Sequence, residues 1–274
     1  MKKFPIGLTV DVENLSGSIN DPIFADALRP LLDALDESEI KATFFVVGTL
    51  APVWAKQLHH LHNLGHEIGL HGHTHEFLSK LGPKVFAKEL IEGKNALEDI
   101  LGQEVLGFRA PYFSLTQETA WAPDIIQSAG FKYSSSVLPA WNPQSGYPRA
   151  PRRPFMWPCG LVEFPVPTFG VGSVRAPLLG GAYLRLSPKF VFSAARFLAS
   201  RRSGMWSYCH PYDFDTDAKF ERVREQSMIV SKLVFLRRRL MLDRVLSLCG
   251  RGGNTFQELV TNASFLESLD TYYG

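Results

Sequence analysis

Three of the eight histidines in this 274-residue chain fall in one short stretch, His71-Gly72-His73-Thr74-His75, directly after Glu67-Ile68-Gly69-Leu70. His71 and His75 could lie one turn apart on a helix or converge from a tight loop. Gly72, a poor helix residue, favours the loop. Either geometry can present two imidazoles to one point, which is how first-row metals are often held. Other reactive types close short apolar runs. Asp11 and Glu13 follow residues 6–10, and strand alternation puts both on one face with Val12 opposite. Arg109 ends residues 105–109, and His210 follows residues 205–209. An isolated acid beside a strand is usually solvated or capping, and a lone histidine there is usually structural. Four coincidences at successive strand ends are harder to dismiss. Two histidines and one carboxylate, with a position left open, describe a catalytic metal site. A second carboxylate is then free to act as base on a water whose pKa the ion lowers. Arg109 could pair with that carboxylate, and a histidine across the pocket could protonate a leaving group. This is the inventory for metal-assisted hydrolysis of an amide or ester.

The elements that must position these groups alternate. Residues 6–10 read as a β-strand, and Asp21-Pro22 as the N-cap and first residue of a helix with Phe24, Leu28, Leu31, Leu32 and Leu35 at helical spacing. Residues 42–47 are a nearly continuous apolar strand, as expected when both faces are buried. A helix over 52–64 stops at Gly65, a strand leads into His71, and a long helix from about 83 to 101 closes at Gly102. A strand over 105–109, a helix over 116–129 and a strand over 131–137 follow, and residues 162–166 and 205–209 bring the strands to seven. Such alternation with short connections is the pattern of a parallel α/β sheet or barrel. Residues 139–188 are Pro- and Gly-rich without clear period, and a stretch that long is more often functional than idle. Residues 221–249 read as helical, 255–260 as a last short helix, and residues 1–274 read as one domain.

Composition narrows the class. The chain is 45% hydrophobic and 20% charged with a net charge of +2, too mild to argue for nucleic acid. The pairs Arg152-Arg153 and Arg201-Arg202 and the triplet Arg237-Arg238-Arg239 are separate in sequence and read as solvated faces unless they line a groove. Cys159, Cys209 and Cys249 have no metal-type spacing, and their odd number suits a reducing compartment. No apolar core of signal-peptide length follows Met1-Lys2-Lys3-Phe4-Pro5, and no run is long enough to span a membrane, so the expectation is a cytoplasmic chain.

Five motifs in order then carry a resemblance: Thr9-Val10-Asp11-Val12-Glu13, Ala42-Thr43-Phe44-Phe45, Gly65-His66-Glu67-Ile68 with His71 to His75, Phe108-Arg109-Ala110-Pro111-Tyr112, and Cys209-His210-Pro211. Together they resemble the polysaccharide deacetylase family (carbohydrate esterase family 4) over about residues 5–215. Residues 177–185 and the run His210-Pro211-Tyr212-Asp213-Phe214-Asp215 resemble the subgroup found with bacterial exopolysaccharide and lipopolysaccharide loci. The resemblance implies a distorted (β/α) barrel with about seven parallel strands and a metal-dependent N-deacetylase of acetamido sugars. It implies Asp11 as general base, His71 and His75 as ligands of one divalent ion (zinc, or Co, Ni, Mn or Fe), Arg109 orienting Asp11, the Tyr112 N–H at the oxyanion, and His210 as general acid. The third ligand is carried to Glu13 because relatives have an acid-x-acid form of the first motif, with Asp11 as the alternative ligand.

Departures bear on substrate. Asn14 and Ser134 stand where acids are common in the subgroup, and His73 is left out of the ligand set. Trp141, Tyr147, Trp157, Phe169 and Tyr183 are candidates to stack on sugar rings, although aromatics are more often core. Pro111, Gly180 and Gly181 are candidates for close approach to substrate, and Arg152, Arg153 and Arg175 could meet a uronate or phosphate. The expected partner is an acetamido sugar, polymeric, lipid-linked or nucleotide-linked. The rival readings are hydrolysis of a non-sugar C–N bond and carbohydrate binding without catalysis.

Overall fold

The computed structural model describes residues 6–13, 23–142, 144–171, 174–199, 204–217, 219–220, 222, 228–250 and 254–274. Strands buried on both faces make its centre. β1 (Gly7–Val12), β2 (Ala42–Val46) and β3 (Glu67–Leu70) are buried along their whole length. α1 (Ile23–Glu37), α2 (Ala55–Asn63) and α3 (Leu78–Leu101) cover them. The cap expected at Asp21-Pro22 lies outside the described residues. α3 is broken at Gly82 (φ 66°, ψ 170°), so its regular part begins at Pro83, and Gly102 closes it in the left-handed region at φ 67°. β4 (Gly107–Phe108) and β5 (Tyr133–Ser134) are short, and between them α4 (Ala122–Ser128) follows a separate turn at Gln117–Thr119.

The stretch expected to be irregular holds β6 (Phe155–Met156), β7 (Val162–Glu163), the hairpin of β8 (Phe169–Val171) and β9 (Val174–Ala176), and the one-turn-scale helix α5 (Gly181–Leu186). These elements are too short for periodicity to register. α6 (Lys189–Ala199) and β10 (Trp206–Cys209) follow. The helix expected over 221–249 is interrupted in its described part. α7 (Met228–Phe235) ends before Arg237, which is left-handed at φ 57°, and α8 (Met241–Cys249) starts anew. α9 (Phe256–Val260), capped by the Thr255 side chain, and α10 (Ala263–Leu266) finish the chain.

The sheet order is β10-β1-β2-β3-β4-β5-β7-β6. The first seven strands are parallel and β6 is added antiparallel at the edge. This is the expected distorted (β/α) barrel, left open between its ends. The Trp206 indole N–H spans part of the opening by donating to the Pro165 carbonyl (3.1 Å). At the barrel floor Glu67 accepts from the Tyr133 hydroxyl (2.6 Å), the Thr43 hydroxyl (2.7 Å) and the Gln257 N–H (3.0 Å), fastening α9 beneath the sheet. Burial, only partly offset by these bonds, pushes the Glu67 carboxyl up. The three cysteines are free. No helix among the described residues is long and apolar enough to cross a membrane.

Candidate metal centre and active site

The histidine stretch is a loop. Gly72 takes φ 67° and His75 takes φ 59°, and the turn is pinned where the Gly48 and Thr49 N–H groups donate to the carbonyls of Gly72 (2.9 Å) and His73 (3.0 Å). Thr74 donates its hydroxyl to Glu89 on α3 (2.9 Å). The result brings His71 and His75 to Glu13, just beyond β1. Glu13 Oε2 lies 3.3 Å from His71 Nε2 and 2.5 Å from His75 Nε2, and one donor atom from each residue falls within 4.8 Å of the others. His73 goes the other way, with Nδ1 buried against Gly48.

Three details suit a divalent cation. The His71 Nδ1–H donates to the Arg109 carbonyl (3.0 Å), which leaves the Nε2 lone pair for a ligand. His75 Nε2 is buried and, despite its closeness to Glu13, is not aligned for a hydrogen bond with any described residue. Two imidazoles and a carboxylate are the donor set of open zinc-type sites. Burial works against charge on both Glu13 and His75, but their mutual attraction prevails. Glu13 is held well below the usual carboxylate range and His75 is raised.

Asp11, also on β1, is separate from this cluster. Its Oδ1 accepts from Arg109 Nη1 (2.5 Å), and Arg109 also donates to the Thr9 hydroxyl (2.8 Å) and to the Ser135 carbonyl (3.2 Å) and hydroxyl (3.0 Å). The guanidinium lies 4.1 Å from the Phe45 ring centre and 4.5 Å from that of Trp206. Its planar, always charged fork is therefore fixed on its faces and its edges.

On the other side His210, at the end of β10, points Nε2 at Glu13 Oε1 (3.8 Å). Its backbone N–H (2.9 Å) and its Nδ1–H (3.0 Å) both donate to Asp213 Oδ2, and Asp213 Oδ1 pairs with Arg185. Burial opposes these charges too, yet pairing pushes His210 up to about 9 and holds Asp213 down to about 2. Tyr212 stacks on the His210 ring and donates to Glu13 Oε1 (3.3 Å).

Tyr112 adopts φ 58° in the turn after β4, where its ring stacks on Phe77 at 4.2 Å and lies 4.8 Å from that of His75. An observed left-handed, non-glycine residue beside a site is the kind of strain that function retains. Pro111 packs on Gly72, where a Cβ would meet its ring. Gly180 lies so close to Tyr208 that a Cβ would enter its ring, and Gly181 (φ 49°) abuts His210. Trp141 and Tyr183, 70% and 49% exposed, line a cleft that also reaches Tyr112 and Tyr208. Arg152 is not in this group. It donates to the Thr168 carbonyl (2.8 Å) and lines a different cavity with Arg153 and Phe169. Tyr147 and Trp157 are core residues. Ser134 hydrogen-bonds Ser136 (2.7 Å), while Asn14 lies outside the described residues.

Sequence reading overlooked the supports: Thr9, Ser135, Asp213 and Arg185. The three-residue step from His210 to Asp213, a capping-box spacing, was the available signal for Asp213. Ser135 and Arg185 carry none.

Residues 1–134 match the family model for polysaccharide deacetylase. Residues 135–261 match a domain of unknown function, DUF3473. Among relatives, Bacillus subtilis YheN, named for the same family, is 34% identical over 104 residues, 38% of this chain and 37% of that protein. The Helicobacter pylori peptidoglycan deacetylase is 26% identical over 108 residues, 39% of this chain and 36% of its own length. The matches thus span little more than a third of these relatives. A Mycobacterium smegmatis crystal structure named for the family shares the fold over 100% of this chain and 96% of its own, with a TM-score of 0.63 at 18% identity.

Proposed function

We propose that this chain is a divalent-metal-dependent hydrolase that removes the N-acetyl group from an acetamido sugar of a bacterial surface polysaccharide or its precursor. The observation that carries the reading is the convergence of Glu13, His71 and His75 between the Asp11–Arg109 pair and the His210–Asp213 pair. The family match and the name of the Helicobacter pylori relative support the deacetylase class. The resemblance of residues 177–185 and 210–215 to the subgroup found with exopolysaccharide and lipopolysaccharide loci supports the substrate setting.

In this reading Glu13, His71 and His75 hold the ion, zinc being the best fit to a nitrogen-rich set of three. When bound, such an ion supplies Lewis acidity and lowers the pKa of water. Asp11 takes the proton of the attacking water through Oδ2, oriented by Arg109 on Oδ1. The Tyr112 backbone N–H faces the developing oxyanion, where most of the catalytic gain usually lies. His210, kept protonated by Asp213, gives its proton to the departing amine. Pro111, Gly180 and Gly181 keep the walls close, and Trp141 and Tyr183 hold the sugar. Both matched segments act as one catalytic unit. The pairings of β5 with β7 and of β1 with β10, which cross the boundary between the segments, support that. The free thiols support work in a reducing compartment such as the cytoplasm.

The test is metal content after chelation and zinc reloading, with acetate release from N-acetylated oligosaccharides. The expected result is one ion per chain, lost in Glu13→Gln and in His71→Ala together with acetate release. Metal retained by Glu13→Gln and lost from Asp11→Asn would move the ligand role to Asp11. A wild-type chain that takes up no metal would sink the reading.

A further inference from the structure

The cleft that opens beside Tyr112 and Tyr208 has a volume of about 220 Å³, and its walls belong largely to the 139–188 stretch. Among its described lining residues only Arg175, on β9, carries a formal charge, and no acid faces it. The guanidinium is held in place, since Nη1 donates to the carbonyls of Pro139 (3.1 Å) and Pro148 (3.4 Å). Its Nε is buried without a hydrogen-bond partner among the described residues. Nη2, by contrast, donates to no described residue and is not buried, so the braced arginine keeps a guanidinium N–H for an acceptor in the cleft. Arginine's planar fork suits carboxylate and phosphate oxygens. Trp141 and Tyr183 add large exposed rings at the same cleft, in a chain whose other big aromatics are mostly buried.

We propose that this cleft is a subsite for an anionic group, carboxylate or phosphate, on the unit flanking the acetamido sugar, with Arg175 as its partner and Trp141 and Tyr183 as platforms for the ring. The identity of the neighbouring sugar rests on the deacetylase reading; the anion preference does not.

The experiment uses the zinc-loaded full chain, followed by calorimetry and tryptophan fluorescence. One pair of probes is a hyaluronan tetrasaccharide, which alternates glucuronate with N-acetylglucosamine, and its carboxyl-reduced counterpart. The other pair is UDP-N-acetylglucosamine and N-acetylglucosamine. The wild type is expected to bind the acidic member of one pair about tenfold more tightly, the scale of one charge-assisted hydrogen bond. Preference in the first pair assigns a sugar carboxylate, and in the second a phosphate. Arg175→Gln should abolish the preference and Arg175→Lys keep part of it. Because Arg175 braces two carbonyls, the matched ligands on the wild type decide the matter without any substitution. Equal affinities within both pairs, or a preference that survives Arg175→Gln, overturns the subsite. Acetate release with no anion preference would do so while leaving the deacetylase reading standing. An Arg175-dependent preference with no acetate release from any N-acetylated probe would do the reverse.

Discussion

Two buried arginine–carboxylate pairs flank the candidate metal centre, Asp11 with Arg109 and Asp213 with Arg185, and they spend their carboxylates differently. Asp11 gives one oxygen to Arg109, and Oδ2 has no hydrogen bond among the described residues. Asp213 gives Oδ1 to Arg185 and Oδ2 to both N–H groups of His210, so what reaches the site is an imidazole rather than a carboxylate. The arginines are braced differently too. Arg109 is caged by the rings of Phe45 and Trp206, whereas Arg185 donates to the carbonyls of Val234 (2.7 Å) and Leu236 (3.0 Å). The same ion pair can therefore present an acceptor directly, or stand behind a histidine and keep it protonated. Under the proposed function, one arm would serve as base and the other as acid.

The largest separation between the arms is expected in their arginines. Removing one partner of a buried pair costs about 3–5 kcal/mol, so Arg109→Met should lower stability by that much in urea unfolding at pH 7. Arg185→Met should cost less, about 1–3 kcal/mol, because the His210 proton still faces Asp213. Equal losses would mean that His210 does not share Asp213's charge. In turnover, Asp11→Asn should reduce acetate release by about 10²–10⁴-fold with the metal retained. Asp213→Asn reaches the site through His210 while also weakening the pair with Arg185, and should reduce it less; a larger loss than at Asp11 in protein that remains folded would reverse the assignment of roles.

A third comparison is acid stability. The folded pKa of Asp213 is depressed from 3.8 to about 2, so its pairing stabilises the folded chain fully above the unfolded value. That contribution, about 2 kcal/mol, is lost as pH falls from about 4 through about 2. Unfolding free energies measured down that range should fall less steeply in Asp213→Asn than in the wild type, and parallel slopes would exclude the coupling. The smallest effect expected is at Ser135. Its hydroxyl takes one Arg109 donor and gives its own proton to the Phe164 carbonyl (2.9 Å), so Ser135→Ala should cost about 1 kcal/mol in thermal or urea unfolding.

Sequence by itself determined the regular part of this protein. The run Phe44 to Val46 is apolar on both faces, and Leu8, Val10 and Val12 are apolar at alternate positions; with short helical stretches between such runs, the pattern is that of a parallel sheet covered by helices. Asp11, Glu13, His71, Arg109 and His210 stand at or just beyond the C-terminal ends of such strands, and parallel strand direction puts those ends on one rim of the sheet. Local pattern could not reach the short strands and hairpin between 155 and 176, which owe their existence to partners distant in sequence. Nor could it sort the tyrosines and tryptophans, since an exposed Trp141 and a buried Trp157 look alike until the chain closes around one of them. Arg152 and Arg175 were equal candidates, and packing sent them to different cavities. Only the tertiary structure decided that Glu13 meets the histidines while Asp11 turns to Arg109, because face alternation puts both carboxylates on one side and cannot choose between them. That choice depends on which partners the surrounding strands bring within hydrogen-bonding distance, and such contacts are a property of the closed sheet.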